Sequence, residues 1–368
     1  MKGDFLMLNL RKQIRTLYIT GVLGNLSLTG AWVVILAARG FSLVQIGFAE
    51  TVFHIVSLIC EIPSGMLADI YGRKKMLALG NVMAITADII MALSNDYLLI
   101  LLSMPFHAMS YNFASGSGEA LAYDSMKMEN KQAGYEKYVS NQSIIYRIAS
   151  GVSTLMAGLA LYLGYRWSYL ISALMGSVTL FFTLKLYEIK GSDIKKESSL
   201  LKGMILFFAD SIRFLYNNSK AAKLMFLNSF VGAVDVLLLF FLQSKLKTAG
   251  ISNWMLGPAL FIMELGGVLG ARLIVKAKKA RYVRVFIVCT IGVLTGVLLE
   301  HTAITFLMVI GGFISAMADD AIQIRTDAKL QDMFPSEQRA TLISISSFTF
   351  SVIMIVLSPI AGYFFSIW

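Results

Sequence analysis

The sequence predicts an all-α protein that crosses a membrane many times. Of its 368 residues, 57% are hydrophobic and only 15% are charged, with mean hydropathy +0.70. Its apolar runs approach the roughly twenty residues that a helix needs to span a bilayer. They are rich in Leu, Ile, Met and Phe, without the alternation of a transmembrane barrel. Inside hydrocarbon every backbone group must be bonded within a helix or a closed barrel, so these runs read as helices.

Eleven spans are expected, near 17–38, 44–66, 76–94, 97–122, 138–163, 166–187, 222–243, 253–275, 283–300, 303–326 and 340–366. The formal charge of +10 could suggest a nucleic-acid partner, but the positions of the charges say topology. With the N-terminus in the cytoplasm, only Arg39, Arg166, Lys245 and Lys247 fall outside, and Arg147 falls within the membrane. The remaining Lys and Arg sit at cytoplasmic ends, the bias that orients membrane helices. The expected location is therefore the cytoplasmic (inner) membrane, with the C-terminus outside. The N-terminal stretch reads as a retained first helix, not a cleaved leader.

Cys60 and Cys289 lie inside spans and read as packing residues rather than a disulfide or metal pair. There is no GxxxxGK[ST] phosphate loop, no CxxC and no context for a nucleophilic triad. The expectation is no enzyme activity, no cofactor and no metal.

The chain also repeats itself. A shift of 210 lays Phe41–Gly47 on Ile251–Gly257, Asn25 on Asp235 and His54 on Glu264. A shift of 201 lays Glu136–Ser143 on Glu337–Ser344, Glu119 on Asp320, and Asp124 on Arg325. A parallel duplication of this kind makes two-lobed membrane proteins. Trp167 opens the sixth span, and its counterpart, Trp368, is the last residue, so a six-plus-five arrangement is expected. The expected organisation is a six-helix lobe at 1–188, a cytoplasmic linker at 189–221 and a five-helix lobe at 222–368. In the linker, Gly191–Ser199 is polar, and Leu200–Tyr216 mixes apolar residues with Lys202, Asp210 and Arg213, as an interfacial amphipathic helix does.

Between the second and third spans stands Gly65-Met-Leu-Ala-Asp-Ile-Tyr-Gly-Arg-Lys-Lys75. Its glycines suit a tight turn, Asp69 suits a cap for the next helix, and Arg73, Lys74 and Lys75 hold the turn in the cytoplasm. In a duplicated polytopic chain, Gly65, Asp69, Gly72, Arg73 and Lys74 resemble the loop after span two in the major facilitator superfamily. Glu61–Gly65 and Ser117–Asp124 look like a bacterial drug- and metabolite-exporter branch of it.

The resemblance implies two pseudo-symmetric lobes around a central cavity that rock in alternating access. Spans 1, 4, 7 and 10 would line the cavity, spans 2, 5, 8 and 11 would make lobe contacts and gates, and spans 3, 6 and 9 would support them. By the same resemblance, Asp69, Arg73 and Asp124 would form a cytoplasmic latch. The counterpart loop, Val275–Arg284, keeps positive charge but lacks the acid and the glycines.

Ionisable groups within the membrane need a reason, since each costs at least about 2.5–3.5 kcal/mol to insert. A cytoplasmic set comprises Glu61, Asp69, Arg73, Glu119, Asp124 and Arg147, with Arg147 placed to neutralise Glu119. A midplane set comprises Glu50, His54, Asp88, His107, Asp235 and Glu264. Glu50, His54, Ser57 and Glu61 share one face of span two. His54 has an ordinary pKa near 6.5, within reach of a proton gradient. Asp235 replaces the neutral Asn25 of the other half on cavity-lining span seven, where a carboxyl can exchange a proton. The expected function is proton-coupled export of a small amphipathic molecule. The alternatives are an importer of the same fold, or a shortened transporter-like sensor whose partner fills the missing-helix position. The expected partners are the small-molecule substrate, protons and membrane lipids, with no nucleic acid; the expected state is a monomer.

Overall fold

The computed structural model describes residues 9–189, 200–277, 279–333 and 339–367, and among them there are helices and turns but no strand. The helices are α1 Leu10–Asn25, α2 Trp32–Ala38, α3 Leu43–Tyr71, α4 Arg73–Leu93, α5 Tyr97–Ala114, α6 Ser117–Met128, α7 Tyr135–Leu155 and α8 Ala157–Leu163. They continue as α9 Tyr165–Leu184, α10 Leu200–Asn217, α11 Ser219–Thr248, α12 Asn253–Lys276, α13 Tyr282–Glu300, α14 Thr305–Met333 and α15 Arg339–Ile367. Among the described residues, eight helices are long and apolar enough to cross a membrane, or nine if α7 and α8 form one broken span.

Three expected spans are interrupted. The first breaks over residues 26–31, between α1 and α2. Within this break the Ser153 hydroxyl accepts from the Ser27 amide (2.9 Å) and donates to the Asn25 carbonyl (3.2 Å). A side chain thus supplies bonds that the helix gives up, which is what makes non-helical backbone tolerable at membrane depth. The fourth breaks at Ser115 and Gly116, where Gly116 takes φ +68. The fifth breaks at Met156. A window of about twenty apolar residues does not register such breaks, because the residues there are uncharged.

The residues form two compact units. One comprises Met1–Leu28, Ile59–Ser153 and Arg166–Met204. Its core joins Leu17 of α1, Leu121, Ala122 and Met126 of α6, and Tyr138 of α7. Gln13, buried in α1, donates to the Tyr187 carbonyl and accepts from the Tyr187 amide, so one side chain serves the backbone beyond α9.

The other unit comprises Thr29–Leu58, Thr154–Tyr165 and Ile205–Trp368. Its core joins Val34 of α2, Ala157 of α8, Leu242 and Leu246 of α11, and Leu256 and Met263 of α12. Gly266 and Gly270 of α12 lie against the backbone of Phe313 and Met317 in α14. Apolar lipid gives helices no hydrophobic reason to associate, so close backbone approach at small residues takes that role. The expected linker helix is present as α10; its Lys202, Asp210 and Arg213 are exposed, while Phe214 packs on Ala221 and Met225. The polar stretch Gly191–Ser199 lies outside the described residues.

Candidate functional site

The turn expected over Gly65–Lys75 is tighter than it reads. Gly72 alone separates α3 from α4, at φ +107, a conformation that favours a residue without Cβ. Gly65 lies inside α3 with open space around it, so the steric demand falls on Gly72. A Cβ at Gly72 would meet the Glu188 carboxyl at 2.5 Å. That carboxylate accepts from the amides of Lys74 (3.1 Å) and Lys75 (3.2 Å). It thereby satisfies two orphan donors at the start of α4 and places negative charge at the helix's positive end. Asp69, expected as the cap, sits in the last turn of α3 instead. Its side chain and that of Arg147 lie outside the described ones.

Arg73 reaches α6, where its guanidinium pairs with Asp124 and donates to the Ala120 carbonyl (2.8 Å). Lys74 contributes its backbone amide, and Glu119 stands exposed in the first turn of α6. Glu188→Ala should lower stability by about 0.5–2 kcal/mol, the ordinary cost of losing a helix cap. Arg73→Ala, which leaves Asp124 without its cation, should cost about 1–3 kcal/mol. Thermal melts of the purified protein check both, and exchanging the charges between Arg73 and Asp124 should recover part of the second loss. In the second half Arg325, the repeat partner of Asp124, donates to the Ala280 carbonyl. The helix-to-loop tie survives there with the donor on the opposite side.

Of the midplane residues, Glu50 and His54 come together, with Nε2 to Oε1 at 3.3 Å. The His54 ring meets Phe53 and, from α15, Phe350, and its Nδ1 is buried without a hydrogen-bond partner. Glu264 accepts from the Thr154 hydroxyl at 2.9 Å. Asn25 turns back to the Gly21 carbonyl at 2.7 Å and ends α1. His107 is half-buried on α5 and Asp88 is buried on α4.

Asp235 is buried in α11 and accepts from the Ser315 hydroxyl of α14 at 2.6 Å. Ser315 opens a stripe that sequence reasoning passed over. Ser315, Asp319 and Gln323 lie four residues apart and share one face of α14. Opposite them on α11 stand Asn228, Gly232 and Asp235. Gln323 donates to the Asp319 carboxylate (3.3 Å) and the Asn228 carbonyl (3.4 Å), and accepts from the Asn228 amide. Gly232 leaves the room that Gln323 fills. The signal was the i, i+4, i+8 spacing, legible only once the two helices are known to face each other. Together they present carboxylates, amides and a hydroxyl able to take up protons or to hold a polar solute.

The second unit also contains two backbone joints between segments distant in sequence. Gly47 of α3 lies against Ser358 and Pro359 of α15, and Gly362 lies against Leu43 and Val44. Gly257 of α12 lies against Leu155, and Gly158 of α8 lies against Asn253 and Trp254. Gly47 and Gly257 are repeat partners, so one device is built twice.

The family model of the Major Facilitator Superfamily matches residues 17–359. The chain belongs to this superfamily. The uncharacterized MFS-type transporter YxaM of Bacillus subtilis (strain 168) is 23% identical over 330 residues, covering 86% of this chain and 79% of YxaM. Among solved structures, a mutant of the nucleoside transporter NupG superimposes with TM-score 0.79 at 16% identity, over 98% of this chain and 92% of NupG. A D-xylose-proton symporter superimposes with TM-score 0.70 at 13% identity, over 94% and 89%. The protein is a multi-pass membrane transporter of the Major Facilitator Superfamily, and these likenesses establish its fold.

Proposed function

We propose that the protein is a proton-coupled secondary transporter that exports a small amphipathic molecule by alternating access, in the manner of the drug- and metabolite-exporter branch. It would work in the cytoplasmic membrane, with its N-terminus inside and its lobes formed by residues 1–188 and 222–368. The observation that carries this reading is Asp235, a buried carboxylate held by the neutral hydroxyl of Ser315. A carboxyl so placed is able to alternate between protonated and charged forms as its surroundings open and close. The Arg73–Asp124 pair and the Glu188 cap would latch the cytoplasmic side, and the two glycine joints would close the other. Proteoliposomes holding purified protein test the proposal. An imposed pH gradient should drive accumulation of candidate amphiphiles, and a protonophore should abolish it. Accumulation indifferent to pH would remove the proton.

A second reading rests on the facing polar stripes. Asn228, Asp319 and Gln323 offer donors and acceptors suited to a hydroxyl-rich solute of the nucleoside or sugar kind. Under this reading solute and proton move in the same direction. Internal pH recorded during substrate addition separates the two, because export by exchange and symport acidify opposite sides.

A further inference from the structure

At the end of α13 is a carboxylate that the reading above does not use. Glu300 is 5% exposed, and neither of its carboxylate oxygens has a hydrogen-bond partner. It lines a cavity of about 150 Å³ together with Lys245 and Thr248 from the end of α11, His301 from the turn, Met308 of α14 and Phe365 of α15. A space of that size holds several waters. A buried carboxylate without a donor is costly as a bare charge, so it must take a proton or an occupant from the cavity.

The charged neighbours narrow the choice. Lys245 stands on the same wall, which disfavours a second cation. Partial burial and the Lys245 ammonium push the His301 imidazole down to about 4, so it stays neutral at physiological pH. His301 Nδ1 lies 2.7 Å from the Val297 carbonyl, which fits a neutral ring donating there. On its inner side the Glu300 side chain lies against Gly311 of α14, one turn before Ser315, whose hydroxyl donates to Asp235. Glu300 therefore stands between the cavity and the buried acid of α11.

We infer that Glu300 relays protons between Asp235 and the membrane face where α13 turns into α14, by way of the water-sized cavity beside it. In one direction the Glu300 carboxyl gives its proton to the Asp235 carboxylate and is reprotonated from cavity water. The reverse sequence returns the proton. This rests on the proton-coupling reading, and the test separates the two.

The full chain in lipid is stepped in pH while infrared absorption of protonated carboxyl groups is followed, with deuterium exchange as marker. The band lost in Asp235→Asn belongs to Asp235, and the band lost in Glu300→Gln belongs to Glu300. Glu300→Gln should slow the Asp235 response on the order of a hundredfold, the low end of what a positioned acid–base group contributes to proton transfer. Thr248→Trp, which plugs the cavity and leaves the carboxyl in place, should slow it too, and it carries the test if Glu300→Gln does not fold. An Asp235 band that responds at the wild-type rate in the folded variants overturns the relay alone. No titrating Asp235 band in the wild type defeats proton coupling and the relay with it. A Glu300 band that answers to sodium or potassium rather than to pH makes the cavity a cation site and overturns the relay.

Discussion

Asp235→Asn is expected to abolish gradient-driven accumulation while leaving substrate counterflow within a few-fold of the wild type. The amide is nearly isosteric and its oxygen still accepts from the Ser315 hydroxyl, so the α11–α14 contact survives. What disappears is the ability to gain and lose a proton. Accumulation should fall by about 100-fold or more, equivalent to roughly 2.7 kcal/mol of coupling. Asp319→Asn is the informative comparison. Asp319 already accepts from the Gln323 amide, and its replacement removes a second titratable carboxyl from the α14 stripe without removing Asp235's own proton. It should shift the pH at which accumulation is half-maximal more than it lowers the maximum. Undiminished accumulation in Asp235→Asn would exclude this residue as the coupling site.

Leucine at Gly47 or Gly257 is expected to force closely packed helix segments apart. At both positions the obstruction is a backbone carbonyl, of Ser358 and of Leu155 respectively, and a carbonyl cannot rotate aside as a side chain does. The helix segments must separate. Overpacking of this kind costs about 1–3 kcal/mol per site. The two joints share no contact residue, so the losses should add in the double variant. Gly65→Leu is the control, because open space surrounds Gly65. Melting of the purified variants gives the stability order. Labelling of a cysteine at Thr51, buried beside the Ile355 carbonyl of α15, reports whether the first joint has parted. Unchanged labelling and melting in Gly47→Leu would mean that the joint does not constrain these helices.

The sequence was most readable where one residue type has one physical use. Gly72 and Arg73 marked a turn whose geometry needs no Cβ and whose cation finds Asp124. Legibility failed wherever a partner comes from far along the chain. Glu188 caps α4 from beyond α9, and nothing near it in sequence announces a cap. Asp69 looked the better candidate because caps are usually local. The breaks in the first, fourth and fifth spans were invisible for a related reason. Residues 26–31 are apolar enough to pass as helix, and the Ser153 hydroxyl, from far along the chain, serves the backbone on both sides of Leu26. The α14 stripe lay between these cases. Its spacing was plain, but Glu50 and His54 satisfied the same criterion, and spacing does not say which polar face has another polar face opposite it.

The facing stripes of α11 and α14 also bear on how the chain is made. A centrally placed aspartate raises the cost of membrane insertion by about 2.5–3.5 kcal/mol, whereas each Leu, Ile, Phe or Val offsets only about 0.3–0.6. α14 carries Asp319 and Asp320 side by side, with Gln323 and Arg325 one turn on. Released from the translocon into lipid alone, it gains little. α11 is synthesised earlier, and Asn228, Gly232 and Asp235 form the surface that receives Ser315, Asp319 and Gln323. The polar interior thus bears on assembly: keeping the acidic face of α14 against α11 avoids the insertion cost that lipid alone would impose.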